Sequence, residues 1–216
     1  MKTAALGLAR RRGAGGRWCV GFAALVAAAL VGIATPAGAA PAGPSYLDPA
    51  FGPAGTGVVT SSASSAGTGV AVVPVGVQGT GDIVVSARGG SPSMFQSARY
   101  TPTGTLDTTF GGGVINAFAG QANAVAVVAS GTHAGDVVVA GYAATTTCGA
   151  QQPVVVEYLP IGTLDTRFNA TGRVNVPCPG DAFLGSLSSV TLDASGNIVV
   201  AGQVLSSSGT LQTLVA

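Results

Sequence analysis

Short runs of β-branched and other apolar residues alternate with Gly-rich and Pro-rich turns along most of the chain. One run follows a Gly-Asp or Gly-Asn turn and occurs three times, at residues 81–89, 135–142 and 196–203. Such a turn before β-branched residues is a strong signal for the second strand of a hairpin. A β-rich run precedes each of them, at residues 69–75, 122–128 and 189–192. The pattern therefore predicts three antiparallel hairpins.

Each hairpin is followed by a predicted third and fourth strand. The third strands are predicted at residues 97–100, 154–158 and 211–215, and Pro102 and Pro160 end the first two. The fourth strands are predicted at residues 57–60, 113–118 and 172–176. Four short strands per unit without a helical period predict an all-β fold, a β-propeller-like array of about three four-stranded antiparallel blades. A β-solenoid is the alternative, although its turns are usually shorter.

A Leu-Asp phrase marks the period of this array. It reads LDPAFG, LDTTFG and LDTRFN, and its leucines at positions 47, 106 and 164 are 59 and 58 residues apart. A fixed period indicates that one supersecondary unit is copied. We expect Leu106, Leu164 and each Phe to point inward and each Asp to cap the turn by accepting hydrogen bonds from backbone amides. These structural motif residues are Leu47, Asp48, Phe51, Leu106, Asp107, Phe110, Leu164, Asp165 and Phe168.

The motifs taken together resemble the delta-60 repeat of exported bacterial proteins. The order is L-D-x-x-F-G, a glycine with a β-run, V-V-x-x-x-G, and then R-Y-x-x-x-G. Arg99-Tyr100 match the R-Y position, Glu157-Tyr158 match it in part, and Asn169 replaces the motif glycine in the third phrase. The resemblance covers residues 46–216. It implies a β-propeller fold without an assigned biochemical function, and it carries over no catalytic residues.

The N-terminal segment has the composition of a Sec-type signal peptide. A basic region with Lys2 and Arg10 precedes an apolar run at residues 19–33 and the small-residue triplet at residues 37–39. We predict a signal peptide at residues 1–39 with cleavage after Ala39, a lead-in with the first Leu-Asp motif at 40–56, and repeats at 57–216. An uncleaved anchor helix is the alternative, but the apolar run is shorter than the roughly 20 residues that span a bilayer. The protein is therefore expected to be secreted or extracytoplasmic.

Cleavage would leave an acidic chain. Four arginines and eight acids remain after residue 39, a net charge of −4, and no lysine or basic cluster is left to neutralise phosphates. Nucleic acid is therefore an unexpected partner, and no later apolar run is long enough to span a membrane. Cys148 and Cys178 are a candidate disulfide in an oxidising compartment. The alternatives are two small buried apolar side chains or one thiol in each of two loops.

Most acids follow the repeat, which indicates structural roles. Asp82 and Asp136 occupy one repeat position, where Asn197 stands in the third copy. Glu157, Asp181 and Asp193 break the register. Glu157 stands where Arg99 stands in the previous copy, and we expect it to pair with an arginine of a neighbouring blade.

Candidate chemistry is sparse. Residues 193–197 resemble a calcium loop only faintly, because a third carboxylate and the distal glutamate are missing. His133 is the only histidine, and with two scattered cysteines it predicts no zinc site. Neither a nucleophile elbow nor a phosphate-binding loop occurs. The sequence therefore assigns no catalytic, cofactor-binding or metal-binding residue.

The two ends of the array suggest an incomplete ring. The strand predicted at residues 57–60 is the piece that the last copy lacks, and three blades are fewer than the roughly four to eight of known propellers. The chain is then either a fragment of a longer array or half of a six-bladed homodimer, and open strand edges predict self-association. The expected function is a secreted, non-enzymatic binding or scaffold module of unidentified ligand. The alternatives are an exported hydrolase or lyase with Asp181 or Glu157 in a central channel, and a truncated fragment.

Overall fold

The computed structural model describes residues 47–62, 66–145, 149–177 and 182–216, with the backbone alone for Ala54, Ala182 and Phe183. The predicted signal peptide, Cys148, Cys178 and Asp181 lie outside these residues. Strands make up 50% of the structure, which confirms the all-β prediction. Among the described residues no helix is long and apolar enough to cross a membrane.

Ten strands and one turn of 3-10 helix at Pro53–Gly55 form the described fold. The strands are β1 (Ala66–Val72), β2 (Ile83–Gly89), β3 (Met94–Tyr100), β4 (Val114–Val127), β5 (Val137–Ala144), β6 (Gln151–Tyr158), β7 (Arg173–Asn175), β8 (Ala182–Leu192), β9 (Ile198–Ser206) and β10 (Leu211–Val215).

The strands form one curled sheet with the shape of a half-barrel. Its order is β1-β2-β3-β4-β5-β6-β8-β9-β10, and β7 pairs with β6 beside this path. All pairings are antiparallel except a single parallel pair between Gln151 of β6 and Leu184 of β8. The three predicted hairpins are confirmed as β1–β2, β4–β5 and β8–β9.

Strand β4 differs from the prediction, because the strands expected at 113–118 and 122–128 are one continuous strand. Its first part pairs with β3 and its second part pairs with β5. Gly120 lies between the two parts with φ of 153°, and a Cβ there would overlap the carbonyl oxygen of Tyr142. Glycine thus allows the strand to continue where a larger residue would break it. The first copy (β1–β3 and the start of β4) and the second copy (the rest of β4 with β5–β7) therefore share a strand. The third copy is β8–β10.

The strand expected at residues 57–60 is absent. Gly57 has φ of 69°, and the Thr56 hydroxyl donates to the carbonyl of Val58 at 3.0 Å, so the chain turns here instead of extending. The preceding phrase docks on the next Pro-containing turn, where Gly52 N–H donates to the Thr103 carbonyl at 2.9 Å. One repeat later, Gly111 N–H donates to the carbonyl of Ile161 at 2.9 Å. The predicted strand 172–176 is present in shorter form as β7.

The first strands of the three copies, β1, β4 and β8, are not paired in the sheet, but β1 contacts β4 and β4 contacts β8, and all three have a bulge at the same repeat position. The register shifts fall between Gly67/Gly69, Ala122/Ala124 and Leu187/Ser189. The bulged residues bridge neighbouring copies: Thr68 Oγ1 donates to the Ala122 carbonyl at 2.6 Å, and Asn123 Nδ2 donates to the Leu187 carbonyl at 2.7 Å. A side chain that is free of its own ladder can thus reach the next strand.

Two apolar clusters fill the spaces between copies. One joins the first and second copies around Phe95, Phe110 and Tyr158, and the other joins the second and third copies around Val155 and Leu187. Alternation along β6 sends successive side chains to opposite clusters.

The motif side chains are buried to different extents. Phe110 is fully buried as predicted, whereas Phe51 and Phe168 are partly buried. The prediction that Leu164 points inward is wrong, since its side chain is half exposed, and so is that of Leu47. Leu106 and Leu164 form isolated antiparallel bridges with Tyr100 and Tyr158. The Leu position therefore continues the backbone pairing of the third strand, and the core at this point is made by Phe.

Candidate functional site

The aspartates of the Leu-Asp phrases cap their turns as predicted. Each accepts a hydrogen bond at Oδ1 from the amide two residues later: Ala50 to Asp48 at 2.8 Å, Thr109 to Asp107 at 2.8 Å, and Arg167 to Asp165 at 2.9 Å. Asp107 and Asp165 have a second role, because the Oδ2 atom of Asp107 contacts Arg99 and that of Asp165 faces His133.

In the first copy this second role is to hold a buried arginine. The Arg99 side chain, on β3, is 3% exposed, and its Nε donates to Asp107 Oδ2 at 2.7 Å. The same Nε lies 3.3 Å from Asp82 Oδ2, and Nη1 donates to the Pro160 carbonyl of the next copy at 2.6 Å. The guanidinium also lies 4.9 Å from the centre of the Phe110 ring. Two aspartates thus share one fixed cation.

The second copy places a carboxylate where the first places this cation. Register pairs Arg99 with Val84 and Glu157 with Val138, the second residue of β2 and of β5 respectively. Asp136 and Asp165 then correspond to Asp82 and Asp107. The three acids Asp136, Glu157 and Asp165 are 1%, 3% and 2% exposed. Three buried carboxylates without the arginine would be unstable unless positive charge arrived from elsewhere.

Arg167 supplies positive charge here, and His133 supplies a ring nitrogen that faces all three acids. The Nδ1 atom of His133 lies 3.1 Å from Asp136 Oδ2, 3.1 Å from Glu157 Oε1 and 3.2 Å from Asp165 Oδ2. Arg167 donates from Nη2 to Asp136 Oδ2 at 2.8 Å and from Nε to Asp165 Oδ1 at 2.9 Å. The expected pairing of Glu157 with an arginine of a neighbouring blade is therefore wrong: its hydrogen-bond partner is His133 of its own copy.

We call Asp136, Glu157, Asp165 and His133 the carboxylate cluster. One potential ligand atom from each residue lies within 4.8 Å of the others. Burial raises the pKa of both Asp136 and Glu157, whereas the hydrogen bond from Arg167 lowers the pKa of Asp165. With three ionised acids, Arg167 alone leaves a net charge of −2 when His133 is neutral. In that protonation state the cluster and Arg167 together are a negative centre inside the fold.

A cleft of about 660 Å³ opens at this cluster between the second and third copies. Its lining includes three residues at or beside the cluster that can carry charge, His133, Glu157 and Arg167. Its walls are mostly apolar and include Val128, Val155, Phe168, Val176, Ile198 and Val200. The cleft is thus a groove with mostly apolar walls that opens at the charged groups of the cluster.

A second cavity, of about 940 Å³, is lined by residues of β4, β6 and β7 and contains no carboxylate. Arg173 is one of its lining residues, and its guanidinium lies 4.2 Å from the centre of the Phe118 ring. Tyr158 also lines it, and burial raises the pKa of this phenol, whose oxygen has no hydrogen-bond partner among the described residues. The cavity offers space, but few groups that could perform chemistry.

The loop that faintly resembles a calcium site is closed on itself. Asp193 Oδ1 accepts hydrogen bonds from the amides of Ser195 and Asn197, each at 2.8 Å, and Oδ2 accepts from Asn197 Nδ2 at 2.8 Å. These bonds lower the pKa of Asp193. Both carboxylate oxygens are therefore used in forming the hairpin turn.

Comparison of the chain with models of known protein families and with curated protein sequences found no match. The function must therefore be argued from the cluster and the cleft. Sequence reasoning singled out Glu157 but missed His133 and Arg167 as its neighbours. A signal was present, because these residues replace Gly79 and Thr109 of the first copy, so three repeat positions change together.

Proposed function

We propose that the protein is an exported, non-enzymatic binding module of propeller-type delta-60 repeats, and that its ligand site is the cleft at the carboxylate cluster. The observation that carries the proposal is the cleft itself, which has mostly apolar walls and a few charged groups gathered at the carboxylate cluster. Small-molecule sites typically have this composition, because apolar walls supply affinity and a few polar groups fix orientation.

Three periodic features support the propeller-type arrangement. The first strands of successive copies contact one another, each has a bulge at the same position, and the first two Leu-Asp phrases each dock on the following turn. The repeat thus extends to the contacts between copies as well as to the strands within them. This is expected when similar units are arranged around an axis.

A hydrolase is less well supported by the geometry of the acids. Glycoside hydrolysis uses one acid and one ionised carboxylate on opposite sides of a bond, roughly 5 to 9.5 Å apart. In the carboxylate cluster the potential ligand atoms lie within 4.8 Å of one another, and Arg167 holds both Asp136 and Asp165. Asp136 and Asp165 therefore share one cation, Arg167, and the acids of the cluster do not face each other across a space for substrate.

The proposal can be tested with N-phenyl-1-naphthylamine, an uncharged apolar probe, followed by amide chemical shifts. We expect shifts to concentrate at cleft residues such as Ser130 and Asn197, which line opposite copies. Ser130→Trp at the rim should weaken binding, whereas Gln78→Trp in the corresponding loop of the first copy should not. Shifts confined to the second cavity would contradict the proposed site. Hydrolysis of p-nitrophenyl glycosides or esters that is lost in Glu157→Gln would instead support the enzyme alternative.

A further inference from the structure

The first and second copies hold their two equivalent aspartates in different ways. In the first copy, the Arg99 guanidinium lies between Asp82 and Asp107 and is fixed by the chain itself. In the second copy Glu157 takes that position, so the fold has lost its internal cation and gained a third ligand oxygen. The register of the repeat therefore marks this point as a cation position.

The distances from His133 Nδ1 to the three carboxylate oxygens are compatible with a bound metal ion as well as with hydrogen bonds. A zinc ion with ligands about 2.0 Å away in a tetrahedron separates those ligands by about 3.3 Å. The three distances from His133 Nδ1 to the carboxylate oxygens are 3.1, 3.1 and 3.2 Å. A single N–H donates well to one of these three oxygens at a time, whereas one metal ion binds all three.

We propose that His133, Asp136, Glu157 and Asp165 bind one divalent transition-metal ion of the zinc and manganese class. Imidazole nitrogen with carboxylate oxygen is a donor set that these ions accept. Calcium is a poorer fit, because its protein ligands are oxygens. The ion would take the place of the Arg99 guanidinium and draw the three carboxylates closer together. The cleft supplies access, since it is lined by both His133 and Glu157.

Arg167 competes with this ion. Its Nη2 donates to Asp136 Oδ2, the same oxygen that faces His133. The Arg167 side chain is 51% exposed, so it can move into solvent when an ion binds. Thr109, its counterpart in the first copy, donates its hydroxyl to Asp107 Oδ1. Arg167→Thr should therefore keep the turn cap while removing the competing cation.

The test is calorimetric titration of the chelator-treated full chain with Zn²⁺ and with Mn²⁺, together with the thermal unfolding midpoint. We expect one ion per chain and a higher midpoint with the ion bound. Glu157→Gln and His133→Gln should each weaken binding by more than about tenfold, the smallest loss seen for groups that support metal ligands. Arg167→Thr should tighten binding. Asp82→Asn, which changes the equivalent acid of the first copy, is the matched control and should leave affinity unchanged.

Glu157→Arg separates loss of the site from loss of the fold. It restores the first copy's arrangement, so the metal-free variant should unfold at the same or a higher temperature and bind no ion. The proposal is overturned if neither ion binds more tightly than about 1 mM. It is also overturned if Glu157→Gln and His133→Gln bind as the parent does, or if Ca²⁺ binds more tightly than both transition metals. These outcomes are independent of whether the apolar probe enters the cleft.

Discussion

At the scale of single residues, the buried acids of the first copy and those of the second copy differ in where their positive charge originates. Arg99 is buried and contacts Asp82, Asp107 and the Pro160 carbonyl. Arg167 is half exposed and lines the cleft beside the acids that it contacts. A buried cation that holds two carboxylates is costly to remove, because the acids then remain in the interior without a partner. An exposed cation is less costly, because water can take its place.

We therefore expect Arg99→Met to be among the most destabilising substitutions in the first copy. Loss of one partner from a buried ion pair costs about 3–5 kcal/mol. Arg88→Met is the control, because Arg88 is exposed on the same hairpin, and a change there should stay within about 0.5 kcal/mol. Urea unfolding monitored by circular dichroism measures both. Equal free energies of unfolding for the two variants would contradict the role given to Arg99.

The first-copy aspartates should give opposite pH dependences. Burial raises the pKa of Asp107, but hydrogen bonds from Thr109 and Arg99 outweigh it, so the pKa lies below the ordinary value of 3.8. Its stabilising contribution is present above pH 3.8 and is lost as the pH falls through the folded-state pKa. Asp107→Asn should thus be destabilising at neutral pH, and its difference from the parent should shrink on acidification.

Asp82 provides the internal control for this prediction. Burial raises its pKa above 3.8 in the folded state, so stability is lost as the pH rises through that folded-state value. The stability of Asp82→Asn should therefore increase relative to that of the parent as the pH rises above 3.8. Free energies of unfolding from urea titrations across this range provide the measurement. Two differences that are both independent of pH would show that these charges do not govern stability.

The sequence allowed the caps to be predicted, but it did not reveal the cluster. Asp48, Asp107 and Asp165 bond to amides only two residues away, so local spacing is sufficient to infer the contact. His133 and Glu157 are 24 residues apart and meet only because β5 and β6 pair in one register. Long-range contacts of this kind depend on strand register, which the repeat fixes only approximately.

At the scale of elements, the bulges explain why small residues recur on the second strand of the second and third copies. Gly141 faces the bulge of β4, and a Cβ there would overlap the carbonyl oxygen of Gln121. Gly202 is in the same relation to Ser186 of β8. The hairpins were predictable from their turns, but the bulges and the continuous β4 were not. Both depend on close backbone approaches, which a glycine permits but which its presence in the sequence is not enough to predict.

Gly141→Ala should accordingly be destabilising by about 1–3 kcal/mol, the usual cost of overpacking, because β4 and β5 must move apart. Gly67→Ala is a matched control in the first strand of the first copy. A Cβ at Gly67 would lie 3.7 Å from Val85 Cγ1, which is an ordinary contact. Thermal unfolding of both variants provides the comparison. An equal effect of the two substitutions would argue against tight packing at the bulge.

At the scale of the whole molecule, the repeat predicts contacts between copies better than it predicts the ends of the sheet. Copies one and two are joined by β4, and copies two and three by the cluster around Leu187. The sheet path begins at β1 and ends at β10. Within the described residues neither of these strands has a second strand partner, so each presents one open edge.

Open edges favour association between molecules, because unpaired backbone groups are templates for another strand. The end strands also expose apolar side chains, with Val70 and Val72 of β1 at 67% and 61% and Leu211 of β10 at 63% exposure. We therefore expect the purified chain to form dimers or larger species at micromolar concentration, as light scattering would measure. Val72→Lys places a charge on an end strand and should reduce association. Val199→Lys, on the interior strand β9, should not. A monomer at all concentrations would contradict pairing through these edges.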